Sequence, residues 1–266
     1  MRRFCRVCAV LLAAMAVFVL FGLDNSLTVT FYTVDSGRLS APLRLACISD
    51  LHSCDYGPGQ RELLDAVEAA APDLVVLTGD ILDDELPSDR AIEALTALAA
   101  RWPCFYVTGN HDAGMGETVA ACGITVLDGT FQQMTVSGGD VRVYGVSDPR
   151  THGSAAFAGQ TAALNGENAG WDGTSILLAH RPAFIGDYLP GGYDLILCGH
   201  AHGGQWRLPG LPGGLLAPDE GLFPKYSGGR YDMGGTVLIV SRGLARESTR
   251  VPRLYNPPEL VIVEIN

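Results

Sequence analysis

The chain has 266 residues, 47% hydrophobic and 18% charged, with a formal net charge of −11. That length and apolar content can bury one large core, and the acidic balance argues against a nonspecific nucleic-acid binder, so no nucleic-acid partner is expected. The cysteine count of seven is odd, and Cys47, Cys104 and Cys198 fall within apolar runs, which reads as packed thiols rather than a disulfide framework.

The chain opens with Arg2, Arg3 and Arg6 ahead of an apolar stretch over residues 7–23. This is near the lower limit for a membrane-spanning helix, about 17–25 residues. The exit from the stretch lacks an Ala-x-Ala cleavage site, which favours an uncleaved signal anchor over residues 1–24 against a cleaved signal and secretion. Basic flanks stay on the cytoplasmic side, so the rest of the chain is expected outside the cytoplasm. Residues 25–42 read as a lead-in with an edge strand at 27–34, and residues 43–266 as one domain.

Within that domain, residues 43–49, 73–78, 104–108, 175–179 and 194–198 are rich in Val, Ile, Leu and aromatics and read as strands. Residues 60–71 and 89–101 place Leu63, Leu64 and Val67, and Ile92, Leu95 and Leu98, on single helical faces. A hairpin is expected from 131–136 and 141–146, turning at Ser137-Gly138-Gly139-Asp140. Residues 151–174 show no clear period and suggest a short helix in a long loop. Strands at 236–241 and 260–265 close the chain. The expected architecture is an α/β four-layer fold, two mixed β-sheets packed as a sandwich and flanked by helices.

Five of the six histidines sit in short blocks where apolar runs end: Asp50-Leu51-His52, Gly109-Asn110-His111-Asp112, His180, and Gly199-His200-Ala201-His202, with Gly79-Asp80 as a further block. A site for two cations a few ångströms apart needs a bridging carboxylate and a mixed set of imidazole, carboxylate and amide ligands, which these blocks supply. Strands that deliver ligands at their carboxyl ends converge on one edge of a sheet, where open α/β folds bind ligands. His152 matches no block and reads as a loop residue.

The five blocks, in this order and spacing, resemble the signature of the calcineurin-like metallophosphoesterases. The resemblance implies that Asp50, His52 and His202 hold one divalent metal ion and Asn110, His180 and His200 a second, with Asp80 bridging; Mn, Fe or Zn suits such a site. It further implies attack by a metal-bridged hydroxide, assistance from the non-ligand His111, and orientation of His111 by Asp112.

Phosphoprotein phosphatases of this superfamily carry arginines after the second and third blocks. Here the chain reads Asp80-Ile81-Leu82-Asp83-Asp84-Glu85 and His111-Asp112-Ala113, which turns the reading away from phosphoproteins. The segments around Lys225, Arg230 and Arg242 are similar to the membrane-anchored bacterial branch, some of whose members cleave the pyrophosphate of uridine diphosphate-diacylglucosamine. The expected function is hydrolysis of a phosphodiester or pyrophosphate in a lipid-linked or nucleotide-like substrate. A general phosphomonoesterase and a non-catalytic, metal-stabilised surface binding module stay open as alternatives. Arg242 and Arg246, with Arg250 and Arg253, are candidates for binding a second phosphate. The segment from Gly203 through Trp206 and Arg207 to Leu216 reads either as a lip contacting lipid or as a packed loop.

Overall fold

A computed structural model describes residues 2–218, 220–246 and 251–266. In chain order, helix α1 (Arg2–Gly22) precedes β1 (Thr28–Val34), β2 (Leu43–Ile48), α2 (Arg61–Ala70), β3 (Leu74–Leu77), α3 (Asp89–Ala99), β4 (Cys104–Tyr106), α4 (Gly116–Ala121) and β5 (Thr125–Val126). Then come β6 (Thr130–Val136), β7 (Gly139–Gly145), α5 (Pro149–His152), α6 (Ser154–Asn168), β8 (Thr174–Leu178), α7 (Ile185–Tyr188) and β9 (Leu195–Cys198). The chain ends with β10 (Leu216–Ala217), β11 (Gly221–Leu222), β12 (Gly229–Asp232), β13 (Val237–Val240) and β14 (Glu259–Ile265).

Two six-stranded mixed sheets result, ordered β1-β14-β2-β3-β4-β5 and β12-β13-β9-β8-β7-β6. β2, β3 and β4 run parallel to one another, as do β8 and β9, whereas β14 is antiparallel to β2. These central strands are buried on both faces, which is why they read as continuous apolar runs rather than alternating ones. One face of each sheet supplies the core between them: Leu43, Leu45, Val76, Val261 and Val263 from the first meet Val143, Ile176, Leu197 and Ile239 from the second. On the outer face of the first sheet, Ile48, Val75 and Leu77 pack with Leu63, Val67, Leu95 and Leu98 of α2 and α3. On the outer face of the second, Leu177, Ile196 and Leu238 pack with Phe157 and Leu164 of α6 and with Ile185 and Tyr188 of α7. This helix–sheet–sheet–helix layering is the expected four-layer sandwich.

Residues 151–174 depart from expectation, since α6 runs for 15 residues. Its buried positions, Phe157, Thr161, Leu164 and Asn168, recur every three or four residues. Two of the four are polar, so the helical stripe is present but hardly hydrophobic.

The apolar helix at the amino terminus stands apart from the core. Phe4–Gly22 is long and apolar enough to cross a membrane; most of it is exposed, and near its carboxyl end Phe18 and Gly22 meet Tyr255.

Candidate metal centre

Seven side chains meet where strands of both sheets end. Asp50 and His52 follow β2, Asp80 follows β3, Asn110 follows β4, His180 follows β8, and His200 and His202 follow β9. Asp50, His52 and His202 offer ligand atoms all within 4.8 Å of one another, and Asp80, His180 and His200 form a second such group. Asp80 joins the two, its Oδ2 lying 3.1 Å from His180 Nε2 and 3.6 Å from His52 Nε2. A carboxylate between imidazoles of different groups is what a bridging ligand requires. Asn110 reaches the second group through Arg181, whose Nη2 donates to Asn110 Oδ1 at 3.0 Å while its Nη1 lies 3.1 Å from His200 Nε2.

The backbone is bent to make this convergence. Asp50, His52, Asp80, His200 and His202 all hold φ between 47° and 65°, a left-handed region that side chains other than glycine seldom occupy and that persists only where neighbours fix it. The fixing bonds are local and mutual: Asp50 N donates to Gly79 O and His52 N to Asp80 O, each at 3.0 Å, and His200 N donates to Asp50 Oδ1 at 3.0 Å. Gly79, with φ of 91°, lies so close to the site that a Cβ there would stand 2.7 Å from His180 Nδ1. That position needs glycine both for its backbone and for the close approach.

Burial sets the charge state. Burial raises Asp50 above the usual carboxylate range, and burial with the Asp80 charge does the same to Asp112. Burial also opposes ionisation of Asp80, but His180 and His52 outweigh it and hold this carboxyl below the usual range. Burial disfavours the His180 imidazolium, yet the charge and hydrogen bond of Asp80 and the charge of Asp50 push it up to about 10. His202 moves the other way and stays neutral, through burial and the neighbouring His52. His52 Nε2 and His202 Nδ1 are buried with no hydrogen-bond partner. Buried carboxylates without full compensation and orphaned imidazole nitrogens are costly unless cations occupy the space between them. The donors are all oxygen and nitrogen, a set suited to Mn²⁺, Fe or Zn²⁺.

A second layer orients these ligands. His180 Nδ1 donates to Thr78 O at 2.8 Å, leaving Nε2 free to ligate, and His52 Nδ1 lies 2.8 Å from Asp83 Oδ2. Such partners fix the tautomer and raise ligand basicity. Arg181 is buried, its Nε donating to the buried Asp148 Oδ2 at 2.6 Å.

Two expectations need correction. Asp112 does not touch the His111 ring: its carboxylate accepts from the backbone N–H groups of Asp80 (2.5 Å), Leu82 (3.0 Å) and Gly109 (3.0 Å), so it ties two ligand loops together. The carboxylate on His111 Nδ1 is Asp84 Oδ1, at 2.8 Å. Arg242 and Arg246, expected near substrate phosphate, are engaged elsewhere: Arg242 by Glu259 at 3.0 Å and Arg246 by Glu62 at 2.6 Å and by the Tyr56 ring. Arg253 is fully buried and donates to the carbonyls of Ala245 and Arg242, a strut rather than a ligand-binding group. Arg250 lies outside the described residues. His152 pairs with Asp128 at 3.2 Å, apart from the ligands.

Sequence reading passed over Arg181, Asp83 and Asp84. The signal available for the last two was an acidic run immediately after a ligand block, two members of which hold His52 and His111.

Above the ligands lies a cavity of about 420 Å³. It is lined by the polar His52, His111, His202, Gln205 and Asp83 to Glu85, and by the apolar Leu216, Ala217, Pro218 and Val251.

The calcineurin-like phosphoesterase family profile matches residues 43–204, a span that includes all seven candidate ligands. Among relatives, the chain is 31% identical over 231 residues to the uncharacterized metallophosphoesterase YkuE of Bacillus subtilis, covering 82% of this chain and 77% of that one. It is also 31% identical over 242 residues to phosphodiesterase YaeI of Escherichia coli, covering 85% and 83%. Its fold is similar to that of GAP50, the anchor in the inner membrane complex of Plasmodium, with a TM-score of 0.50 at 14% identity, covering 84% of this chain and 81% of that one. The chain therefore belongs to the calcineurin-like phosphoesterase family and is a metal-dependent hydrolase of phosphoesters.

Proposed function

We propose that the chain hydrolyses a phosphodiester or pyrophosphate bond in a lipid-linked or nucleotide-like substrate, at a membrane to which α1 anchors it, with the catalytic domain on the extracytoplasmic side. The observation that carries this reading is the lining of the cavity over the ligands. Among its described residues there is no lysine or arginine, while Asp83, Asp84 and Glu85 all line it. Beyond the two metal positions, the described lining offers no further cationic side chain for a second phosphate charge, so a singly charged diester suits it better than a phosphomonoester dianion. The apolar part of the lining, Leu216, Ala217, Pro218 and Val251, suits an acyl or other hydrophobic substituent.

Two bound divalent ions supply Lewis-acid polarisation of the phosphate and activation of water near neutral pH. The rest falls to side chains. Asp50, His52 and His202 would hold one ion, Asn110, His180 and His200 the other, and Asp80 both. His111 is partly exposed at the cavity wall, its ring centroid 5.0 Å from that of His52. With Nδ1 engaged by Asp84, its Nε2 is the nitrogen available to give a proton to the leaving oxygen.

The full chain, purified in detergent and loaded with Mn²⁺, should hydrolyse bis-p-nitrophenyl phosphate faster than p-nitrophenyl phosphate. A preference for the monoester would overturn the diester reading.

A further inference from the structure

Among the described residues beyond Phe31, every exposed large aliphatic or aromatic hydrocarbon side chain falls in one segment, residues 206–223: Trp206, Leu211, Leu216, Leu222 and Phe223. Leu222 and Phe223 are 71% and 70% exposed at the open end of the β10–β11 hairpin, where Leu222 pairs with Leu216. Isolated exposed leucines need no explanation, but five large apolar side chains exposed within eighteen residues do.

The position of this segment identifies what covers it. α1 is seated on Leu254 and Tyr255: the rings of Phe18 and Tyr255 are 4.8 Å apart, Tyr255 Oη donates to Phe18 O at 2.6 Å, and Tyr255 N donates to Gly22 O at 2.6 Å. The same Leu254 carries the exposed segment on its other side, bridging to Trp206, donating to Gln205 O at 3.1 Å and accepting from Arg207 N at 2.9 Å. Trp206 Nε1 donates to Pro252 O at 3.0 Å, so its ring is held with its polar edge satisfied and its hydrocarbon face open. Leu216 belongs both to the exposed set and to the cavity lining. A single support, residues 251–255, thus ties the helix that exits the domain to the apolar rim of the cavity.

We infer that the rim formed by Trp206, Leu211, Leu216, Leu222 and Phe223 is a membrane-docking surface that enters the headgroup and upper acyl region of the bilayer holding α1 and turns the cavity mouth toward it. This inference rests on the reading of α1 as a membrane anchor. Aromatic and aliphatic side chains beside a fixed tryptophan suit the interfacial zone, and apolar area rather than charge carries such binding. The net charge of −11 gives no general attraction to anionic lipid, so the surface should work on zwitterionic bilayers. The chemistry it would serve is hydrolysis of a phosphodiester whose hydrophobic substituent stays in the bilayer.

The test uses the full chain, Mn²⁺-loaded and reconstituted into phosphatidylcholine vesicles. In a background of Trp102→Phe, Trp171→Phe and Trp206→Phe, a Leu222→Trp reporter should be quenched by phosphatidylcholine brominated near the headgroup end of its acyl chains. Leu222→Ser with Phe223→Ser should cut hydrolysis of a vesicle-embedded phosphatidyl p-nitrophenyl diester at least tenfold while leaving bis-p-nitrophenyl phosphate turnover within twofold. An unquenched reporter overturns the docking surface. So does emission that depends on protein concentration but not on brominated lipid, which would assign the rim to a second copy of the chain. If the reporter is quenched but no embedded diester is cleaved while bis-p-nitrophenyl phosphate is, the docking surface stands and the lipid-linked substrate of the proposed function falls.

Discussion

At the floor of the site, five ligands hold left-handed backbone conformations, their loops are cross-tied by backbone and carboxylate hydrogen bonds, and nearly every side chain is buried. At the rim, from Gln205 to Phe223, regular structure shrinks to two two-residue strands and most large side chains point outward. The floor is over-determined, so one changed residue there should act on metal binding or on the chemical step. The rim has little internal bonding to lose, so changes there should act on which substrate arrives. The largest expected effect belongs to Asp80, which belongs to one candidate group and reaches within 3.6 Å of His52 in the other. Asp80→Asn should lower bound metal from two ions toward none and reduce diester hydrolysis to background, read by elemental analysis and turnover. Retention of two ions would break the bridging assignment.

Next comes the boundary between floor and rim, where His111 stands. His111→Ala should retain both metals and lose roughly 10²–10⁴-fold in turnover, the range typical of a general acid or base. Asp84→Asn should lose less, because the amide keeps a hydrogen-bond acceptor on Nδ1. The two variants together separate the proton donor from its positioning residue: loss of metal in either would place them in the floor instead.

A titration sharpens the electrostatic side of the comparison. In the metal-free chain burial works against the His180 imidazolium, but Asp80 and Asp50 keep it up to about 10. Below that range His180 carries a proton that a cation must displace, so apparent metal affinity should rise with pH and uptake should release protons. Calorimetry in two buffers of different ionisation heat checks this; identical heats would refute it.

The floor was legible in the sequence because its chemistry is concentrated in few residue types at the ends of apolar runs, and Asp50, His52, Asp80, His180, His200 and His202 come together in two groups that could each hold a metal ion. What escaped is what tertiary contact alone decides. Asp112 adjoins His111 in the chain, yet the turn after Asn110 sends its carboxylate inward to three amides, and Asp84, 27 residues earlier, takes the ring instead. The arginines at 242 and 246 read as phosphate binders because a guanidinium's role depends on which carboxylate reaches it first, and Glu259 and Glu62 do. Helix α6 escaped because two of its four buried positions are Thr161 and Asn168.

Arg181 offers the narrowest test, because it addresses half of the floor. Its guanidinium contacts His200 and Asn110, both of the second ligand group, and is held in turn by Asp148. Removing an outer partner of metal ligands costs about 10–100-fold in affinity. Arg181→Met should therefore weaken one ion by about that factor and spare the other, giving a split binding curve where the wild type shows two tight ions. It also leaves Asp148 buried without its cation, a loss of about 3–5 kcal/mol in stability, so thermal unfolding of the metal-loaded variant is measured alongside. Arg181→Lys retains the charge but cannot span Asp148, Asn110 and His200 at once; it should recover most of the stability and little of the second-site affinity. If Arg181→Met weakens both ions equally, or neither, Arg181 supports the fold and not the second metal position.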